Sequence, residues 1–411
     1  MTRTHVPSYP RDRIKVLLVE NVHPSAVEVL EGEGFDVESL KESPPEAELA
    51  ARLEQVNVLG IRSKTQISAD LLRAAPRLLT LGCFCIGTNQ VDLDEAKRRG
   101  VPVFNAPFSN TRSVAEMILA EIVMLARQLG DRSREVHEGR WNKVAAGCYE
   151  VRGKTLGIVG YGHIGTQIGV LAEAFGMRVL YFDIQTKLPI GNNRPVPTLK
   201  ELLGSADYVT LHVPATPQTD GMIGEDELAA MRPGAYLLNA SRGRVVKIGA
   251  LADAIRRGHV AGAAIDVYPD EPEKNSAGFA SELRGLPNVI LTPHIGGSTI
   301  EAQEAIGREV GLSIARLVTA GATTGAVNFP QVELPQGPET HRILNVHRNV
   351  PGVLRDINRI VSDHSANIQS QVLATDPSIG YLIMDLDHDV SDAVSRDIAA
   401  LGTNIKTRIN R

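Results

Sequence analysis

The sequence predicts an α/β protein with two doubly wound parallel-sheet domains, followed by a small C-terminal domain of ferredoxin-like order. Three observations support this prediction. The chain has 411 residues, more than one hydrophobic core normally serves. Short apolar runs alternate with helical stretches through residues 14–330, a pattern typical of parallel strands covered by helices on both faces. After residue 338 the order of elements changes to βαββαβ.

The first alternating series opens with the apolar run Ile14–Val19 (IKVLLV), which predicts a strand, and continues with a helix over Ser25–Glu33. At its end, Ser113–Gly130 predicts a long amphipathic helix, with Ser113 as N-cap and Glu116 at the capping-box position. Between them, the patterns predict strands Val56–Ile61, Leu78–Gly82 and Val101–Asn105 and helices Ser68–Ala75 and Leu93–Arg99.

A second alternating series follows, and a helix over Ser298–Ala320 returns from it. The proline-rich stretch Gln331–Pro338 predicts a linker. We therefore expect a discontinuous first domain of residues 1–110 and 299–332, a second of 111–298 and a third of 338–411. The strands of the second series are predicted at Thr155–Val159, Arg178–Phe182, Asp207–Leu211, Ala235–Asn239, Gly262–Ile265 and Val289–Leu291.

The third domain is short, and exposed sheet edges in such small domains often pair with a second copy. Its predicted elements are strand His341–His347, helix Gly352–His364, strands Asn367–Ala374 and Ile379–Asp387, helix Val390–Leu401 and a last short strand.

Composition excludes several classes of protein. A net charge of -5 argues against general affinity for nucleic acid or anionic membranes. The three cysteines, Cys83, Cys85 and Cys148, are too few and too unevenly placed for a disulfide framework. Cys83 and Cys85 lack the paired spacing of a zinc site, so we expect buried thiols at these two positions and no metal. The first residues are polar, without the apolar core of a signal peptide, and no run of 18 apolar residues occurs. These features predict a cytoplasmic protein.

A nucleotide fingerprint lies in LGIVGYGHIG, directly after a predicted strand and at the start of a helix. Gly160 permits the tight turn, Gly162 lets the backbone approach a pyrophosphate, and Gly165 lets the helix pack closely on the strand. The next strand ends at Asp183, whose carboxylate can accept hydrogen bonds from both ribose hydroxyls of NAD and would repel the 2′-phosphate of NADP. The sequence therefore predicts NAD as the cofactor.

Three later segments, NASRGRVV, DVYPDEP and TPHIGGS, follow predicted strands, where ligands collect in open α/β sheets. With the fingerprint, they resemble the D-2-hydroxyacid dehydrogenase family, and the resemblance covers residues 14–330. It places the family's arginine, glutamate and histidine on Arg242, Glu271 and His294. Further cofactor contacts that it implies are His163, Ile164, Ala240, Ser241, Asp266, Gly296 and Gly297, together with Arg242 and His294. One departure is Lys247, where the family commonly has an acidic residue.

The roles of these three residues also follow from their chemistry. Imidazole suits acceptance and return of a hydroxyl proton, so His294 is the expected acid/base. Glu271 would orient that ring and stabilise its charged form, and Arg242 offers a planar fork for a carboxylate. Taken singly, they could be a surface histidine, a solvated turn residue and a salt-bridge partner, but the fingerprint upstream favours the catalytic interpretation.

Three segments, CFCIGTNQVDL, APFSNTRS and Trp141–Lys143, resemble the family members that oxidise D-3-phosphoglycerate on the way to L-serine. Arg62 and Ser63 could bind the phosphate group, and the resemblance adds Asn110 and Lys143. Trp141 could reach a neighbouring subunit's site or pack in its own domain. Reduction of 2-oxoglutarate to 2-hydroxyglutarate is an expected side reaction. Two alternatives stay open: a dehydrogenase for glycerate or a small 2-keto acid, and an NAD-sensing binding protein of the same fold.

The C-terminal domain resembles the ACT domain of serine-sensitive members. In HRNVPGVL, His347 and Asn349 precede a helix start, and with Asn367 they match the positions that bind L-serine between two paired domains. The resemblance implies feedback inhibition by L-serine and at least a dimer, and a second contact through the dehydrogenase domains would give a homotetramer. A purely structural dimerisation module is the alternative.

Overall fold

The computed structural model describes residues 10–272, 278–335 and 341–410. They divide into two units: one contains Asn110–Ala302, and the other joins Met1–Ser109 to Gln303–Arg411. The N-terminal tail and the last residues of the predicted linker, 336–338, lie outside the described residues. No helix in the described ranges is long and apolar enough to cross a membrane.

The first sheet has strands β1 (Lys15–Leu18), β2 (Asp36–Ser39), β3 (Val58–Ile61), β4 (Thr80–Cys83) and β5 (Val103–Phe104). All of its pairings are parallel, in the order β2-β1-β3-β4-β5. The helices are α1 (Pro24–Gly32), α2 (Glu46–Leu53), α3 (Ala69–Arg73) and α4 (Leu93–Arg98), and a 3₁₀ turn, Arg11–Arg13, precedes the sheet. Strand β2 and helix α2 were not predicted.

The second unit begins with helices α5 (Thr111–Arg127) and α6 (Leu129–His137). Its sheet is parallel and contains β6 (Thr155–Val159), β7 (Arg178–Phe182), β8 (Arg194–Pro195), β9 (Tyr208–Leu211), β10 (Ala235–Asn239), β11 (Val260–Ile265) and β12 (Val289–Leu291). The strand order is β12-β11-β10-β9-β6-β7-β8, which places β9 at the centre of the sheet with β6 beside it. The other helices are α7 (His163–Ala174), α8 (Leu199–Ser205), α9 (Glu225–Ala230) and α10 (Ile248–Arg256), with a 3₁₀ turn at Gly243–Val245.

The predicted helix over Ser113–Gly130 differs at both ends. Asn110 is the N-cap, and the hydroxyl of Ser113 contacts that of Thr299 at 2.7 Å, so the prediction of Ser113 as N-cap was wrong. Glu116 pairs with Arg112 and not with the helix start. At the other end, Gln128 adopts a left-handed conformation (φ 54°), which breaks the helix before α6 continues.

The long helix α11 (Ile300–Ala320) leads to the C-terminal sheet. That sheet contains β13 (His341–Arg348), β14 (Ile368–Thr375), β15 (Ile379–Leu386) and β16 (Asn404–Asn410), with helices α12 (Val353–Asp363) and α13 (Ser391–Ala400). All pairings are antiparallel, in the order β14-β15-β13-β16. The predicted βαββαβ order is therefore confirmed.

The two faces of the C-terminal sheet have different neighbours. Ile343, Leu382 and Met384 pack with helices α12 and α13, as the shared core of that small domain. Leu344 and Tyr381 belong instead to the large core of the unit, together with residues of the first sheet and of α11. The C-terminal sheet and the first parallel sheet thus share one hydrophobic core.

The same face of the C-terminal sheet supplies hydrogen-bond donors to the end of α11. The last carbonyls of a helix lack partners within it, so they need donors from elsewhere. Here the bonds run from Arg408 to Leu317 and Val318, from Asn410 to Thr319, from Arg342 to Ala320 and from the hydroxyl of Tyr381 to Gly321.

Candidate active site

The turn between β6 and α7 shows why glycine occupies each fingerprint position. Gly160 has φ +90°, and a Cβ there would collide with the carbonyl oxygen of His212. A Cβ on Gly165 would collide with the carbonyl oxygen of Gly160, so the helix could not pack so closely on the strand. A Cβ on Gly162 would meet nothing within 4 Å. The space in front of this residue is therefore open, and α7 begins there without a side-chain cap, as a bound pyrophosphate requires.

Asp183 directly follows β7, at the same edge of the sheet. Its carboxylate accepts hydrogen bonds from the amides of Tyr161 and Gln185, each at 2.8 Å. The bond from Tyr161 ties Asp183 to the glycine turn, so the carboxylate has a defined position next to the fingerprint. This arrangement fits the ribose of a dinucleotide. His163 and Ile164 form the first turn of α7 on the same loop.

His294 and Glu271 form the hydrogen-bonded pair that acid–base catalysis requires. The Nδ1 atom of His294 lies 2.8 Å from Oε2 of Glu271, while Oε1 of Glu271 accepts the amide of Tyr268 at 3.0 Å. The bond to Glu271 raises the pKa of His294, against the opposing effect of partial burial. Burial would raise the pKa of Glu271, but the hydrogen bonds from His294 and Tyr268 and the charge of Arg242 lower it. The pair therefore favours an ionised glutamate beside a basic imidazole.

The loop that carries His294 is held by Asp266, which follows β11. The carboxylate of Asp266 accepts the amides of Ile295 at 2.8 Å and Gly296 at 2.9 Å, and its carbonyl accepts the amide of His294 at 2.8 Å. Thr292 donates its hydroxyl to the same carboxylate at 2.6 Å. Because His294 has a left-handed backbone (φ 54°), these bonds stabilise a conformation that the residue rarely adopts by itself.

Arg242 lies on the loop after β10, with Ala240 and Ser241. Asn239, the last residue of the strand, organises this loop: its side chain donates to the carbonyl of Arg242 at 3.0 Å and accepts the amide of Ser241 at 3.0 Å. The guanidinium of Arg242 donates to the carbonyl of Ser241 at 2.7 Å. The charge of Arg242 affects both Glu271 and His294, so the three proposed catalytic side chains are brought together.

Sequence reasoning missed several residues of this site. Asn239 opens the segment NASRGRVV and Thr292 opens the segment TPHIGGS, and their position at strand ends was the signal that could have identified them. Glu121 on α5 is 4% exposed, and burial with the nearby charge of Asp266 raises its pKa to about 8. Its Oε1 atom has no hydrogen-bond partner among the described residues. A single glutamate on an apolar helix carries no sequence signal for such a position.

Three predicted substrate residues lie in the second unit, and one of them, Asn110, lies beside the His294 loop. The side chain of Asn110 packs against Gly297, and its Oδ1 atom is buried without a partner among the residues that the structure describes. That unsatisfied acceptor suits a ligand that donates a hydrogen bond. Trp141 is 83% exposed, on the segment after α6, and Lys143 is exposed beside it. Neither side chain forms a hydrogen bond with the catalytic residues in the described part of the subunit.

Arg62 and Ser63 lie in the first unit, on the loop after β3. The amide of Arg62 donates to the carboxylate of Glu20 at 3.2 Å, and its carbonyl accepts a hydrogen bond from Gln90 at 2.8 Å. The backbone is thus held on both sides, while the side chain has no ion pair among the described residues.

The proposed effector residues are spread along the C-terminal sheet. Asn349 donates to the carbonyl of Asp376, which directly follows β14, at 2.7 Å. Asn367 directly precedes β14, and its amide donates to Asp387. An eight-residue strand spans roughly 25 Å, so the two asparagines lie at opposite ends of it. His347 is 3% exposed and hydrogen bonds Asn345 at 2.9 Å.

Comparison with known proteins agrees with this geometry. Residues 119–296 match the D-isomer specific 2-hydroxyacid dehydrogenase, NAD binding domain, and residues 343–406 match the AHAS small subunit-like ACT domain. The D-3-phosphoglycerate dehydrogenase of Dictyostelium discoideum is 56% identical over 98% of both chains, and that of Escherichia coli K12 is 48% identical over 98% of both.

A solved structure supports the fold and the cofactor. D-lactate dehydrogenase from Aquifex aeolicus, complexed with NAD and lactic acid, aligns with a TM-score of 0.66 and 29% identity over 77% of this chain and 100% of the other. The predicted fold, with two parallel-sheet domains and an ACT domain, is confirmed, as is NAD as cofactor. With its nucleotide loop, its His294–Glu271 pair and its C-terminal ACT domain, the chain belongs to the D-3-phosphoglycerate dehydrogenases, within the NAD-dependent D-2-hydroxyacid dehydrogenase family.

Proposed function

We propose that this enzyme oxidises D-3-phosphoglycerate to 3-phosphohydroxypyruvate with NAD, the first step toward L-serine. The observation that carries the proposal is the His294–Glu271 pair, with its 2.8 Å bond, next to Arg242 at the sheet edge that bears the nucleotide fingerprint. The names and the 47–56% identity of near full-length relatives support the choice of substrate.

The tautomer of His294 determines which ring nitrogen accepts the substrate proton. Because Nδ1 bonds the Glu271 carboxylate, Nδ1 carries a hydrogen and Nε2 is the free base in the neutral ring. Nε2 accepts the hydroxyl proton of the substrate, and Glu271 stabilises the imidazolium that results. Arg242 binds the substrate carboxylate and orients the reacting carbon. When bound, held by the glycine turn and Asp183, NAD supplies the hydride acceptor.

Phosphate recognition is assigned to residues of two regions. Arg62 and Ser63 offer a guanidinium, a hydroxyl and an amide to the phosphate, and Asn110 and Lys143 add polar contacts. Trp141 is so exposed that it suits a contact with a neighbouring subunit better than an anchor in its own domain.

A panel of oxo acids tests the substrate. NADH oxidation with 3-phosphohydroxypyruvate should exceed that with hydroxypyruvate, pyruvate or 2-oxoglutarate in kcat/KM, with slow turnover of 2-oxoglutarate. A preference for hydroxypyruvate or pyruvate would instead indicate a dehydrogenase for glycerate or a small 2-keto acid. Tight NADH binding without turnover on any of them would favour the NAD-sensing alternative.

We further propose that L-serine binds between two ACT domains and inhibits the enzyme. Asn349 and Asn367 lie too far apart within one subunit to contact one amino acid, and pairing with a second copy would bring the two ends together. The ACT match supports a regulatory role. Such pairing, with a second contact through the dehydrogenase domains, gives a homotetramer. As part of this proposal we keep the predicted division into three domains, with residues 1–110 and 299–332 binding substrate, 111–298 binding NAD and 338–411 regulating, in a cytoplasmic enzyme.

Titration of L-serine into wild type and Asn349→Ala tests regulation. Wild type should be inhibited, and the variant should need a higher serine concentration for the same inhibition, with its uninhibited rate retained. Absence of both binding and inhibition in wild type would leave the ACT domain as a dimerisation module. Truncation near Gly337 is a poor test, because the ACT sheet shares its core with the first sheet and supplies donors to α11.

A further inference from the structure

Strand β16 directs two cationic side chains, those of Lys406 and Arg408, into a cleft between the C-terminal sheet and residues that flank the first parallel sheet. Lys406 and Arg408 alternate with the residues that face the α12–α13 side, so both lie on the face turned toward the shared core. Lys406 donates to the carbonyl of Leu78, and Arg408 donates to carbonyls at the end of α11. The cleft is otherwise lined by Leu79, Gly100, Pro102, Leu317, Phe329, Leu344, Val346 and Tyr381.

No carboxylate neutralises these cations. Among the described residues, neither Lys406, Arg408 nor the adjacent Arg99 forms an ion pair. The acidic residues nearby are committed to other partners: Asp376 pairs with Lys97 at 2.8 Å, and Asp385 pairs with Arg342 at 2.7 Å. The lining of the cleft contains no acidic residue. Positive charge held away from water without a counter-charge is unfavourable, so the cleft favours entry of an anion.

The pKa of Lys406 reflects this lack of a counter-charge. Burial lowers its pKa to about 7, and the charges of Arg408 and Arg99 lower it further in the same direction. A backbone carbonyl is its only hydrogen-bond acceptor among the described residues. An anion in the cleft would favour the charged form, and binding would therefore be coupled to uptake of a proton by Lys406.

We propose that this cleft binds a small oxyanion, a carboxylate or a phosphate ester, through Lys406 and Arg408. The two side chains supply donors for the charged group, and the apolar lining, which includes Leu79 and Phe329, would contact a short carbon chain. The site is distinct from the catalytic residues, which lie in the other unit, and from Asn349 and Asn367. Because both walls belong to one core, the bound anion would stabilise the packing of the C-terminal sheet on the elements of the first parallel sheet.

The test uses sulfate and butyrate, whose charges stay constant between pH 6 and 8. At about 10 mM, and against chloride of equal ionic strength, one or both should raise the Tm of the full-length protein by roughly 2 °C or more. A Tm increase with sulfate alone would indicate a phosphate-like ligand. An increase with butyrate alone would indicate a carboxylate with an apolar chain. Lys406→Met, which keeps the length of the side chain, should abolish the shift.

Two control variants locate the effect. Lys200→Met removes an exposed lysine of the other unit, and Arg62→Gln removes the proposed phosphate ligand of the active site. Both should keep the shift. A shift of equal size in wild type and Lys406→Met, or one lost in Arg62→Gln alone, would overturn the proposal.

The affinity should rise roughly tenfold from pH 8 to pH 6, as Lys406 gains its proton through a pKa of about 7. The charged groups that face Lys406 include the guanidinium groups of Arg99, Arg408 and Arg342, and a guanidinium is not deprotonated in proteins. Burial raises the pKa of Tyr381 to about 12, and hydrogen bonds from Lys97 and backbone amides outweigh burial to lower that of Asp376, so neither group changes its charge between pH 6 and 8. An affinity independent of pH in wild type would contradict the role of Lys406.

Crystals of the full chain grown with selenate provide a second measurement that does not depend on folding of a variant. Anomalous density within hydrogen-bond distance of Lys406 and Arg408 would support the site. Selenate found only at other positions would overturn it.

Discussion

Glu271 and His294 are 23 residues apart in the chain, yet their side chains meet at 2.8 Å. The bond raises the pKa of the imidazole and lowers that of the carboxyl, against the effect of burial on each. Both shifts favour the ion pair that the proposed transfer of a substrate proton to His294 would form.

Glu271→Gln should move the pH profile. In the proposed mechanism oxidation requires neutral His294, so kcat/KM should fall as pH drops through the pKa of that ring, which Glu271 raises above its ordinary value. Glutamine keeps a hydrogen-bond acceptor but removes the charge, so the acidic limb should shift to lower pH by about one unit or more. Steady-state oxidation of the hydroxy acid from pH 5.5 to 9 measures this limb. An unshifted limb would show that Glu271 does not set the basicity of His294.

His294→Ala should lower turnover by roughly two to four orders of magnitude, the usual contribution of general acid–base catalysis. NADH binding, followed by fluorescence titration, should survive, because the ring is assigned to the reacting hydroxyl. The variant should also lose the acidic limb described for wild type. Near-normal turnover would exclude His294 as the acid/base.

Asp183→Ser should weaken NAD binding and relax the exclusion of NADP, since the ribose acceptor and the repulsive charge leave together. The ratio of kcat/KM for the two cofactors measures the change. A serine side chain has one oxygen and cannot replace both carboxylate oxygens that accept the amides of Tyr161 and Gln185. Asp183→Asn is therefore the matched variant, because it keeps the size and shape of the side chain and removes its charge. A cofactor ratio unchanged in both would mean that Asp183 does not contact the ribose.

Arg62→Gln and Lys143→Gln should each raise KM for 3-phosphohydroxypyruvate much more than KM for unphosphorylated hydroxypyruvate. The reason is that only the phosphorylated substrate presents the group that these cations are proposed to bind. Steady-state kinetics on the two substrates gives the comparison. Equal losses on both would point to a general structural role.

Asp385→Asn should destabilise the protein by roughly 3–5 kcal/mol, because it leaves Arg342 as a buried, unpaired charge. The two side chains are 2% and 0% exposed, and they form two hydrogen bonds of 2.7 Å. Glu150→Gln breaks the exposed pair with Arg152, 79% and 80% exposed, and should cost little. Urea unfolding of both variants tests the contrast. A small loss of unfolding free energy in Asp385→Asn would show that the Arg342–Asp385 pair contributes little to the stability of the protein.

Much of the fold could be predicted because buried parallel strands are continuous apolar runs. Strands Thr155–Val159 and Ala235–Asn239 have the predicted bounds, and every residue in them is buried. Strand Asp36–Ser39 escaped prediction because it lies at a sheet edge with mostly exposed side chains. Ser113 failed as N-cap because the chain enters the helix two residues earlier, at Thr111.

The sequence by itself determined the family and the cofactor, and it singled out Arg242, Glu271 and His294 as the proposed catalytic residues, since each stands in a local segment that resembles a motif of the family. Only the tertiary structure decided how those groups are held. The carboxylate of Asp266 binds amides 29 and 30 residues later in the chain, and the last carbonyls of α11 receive donors such as Arg408 from about 90 residues away. No local pattern encodes such contacts, because they depend on which faces of distant elements come to share a core.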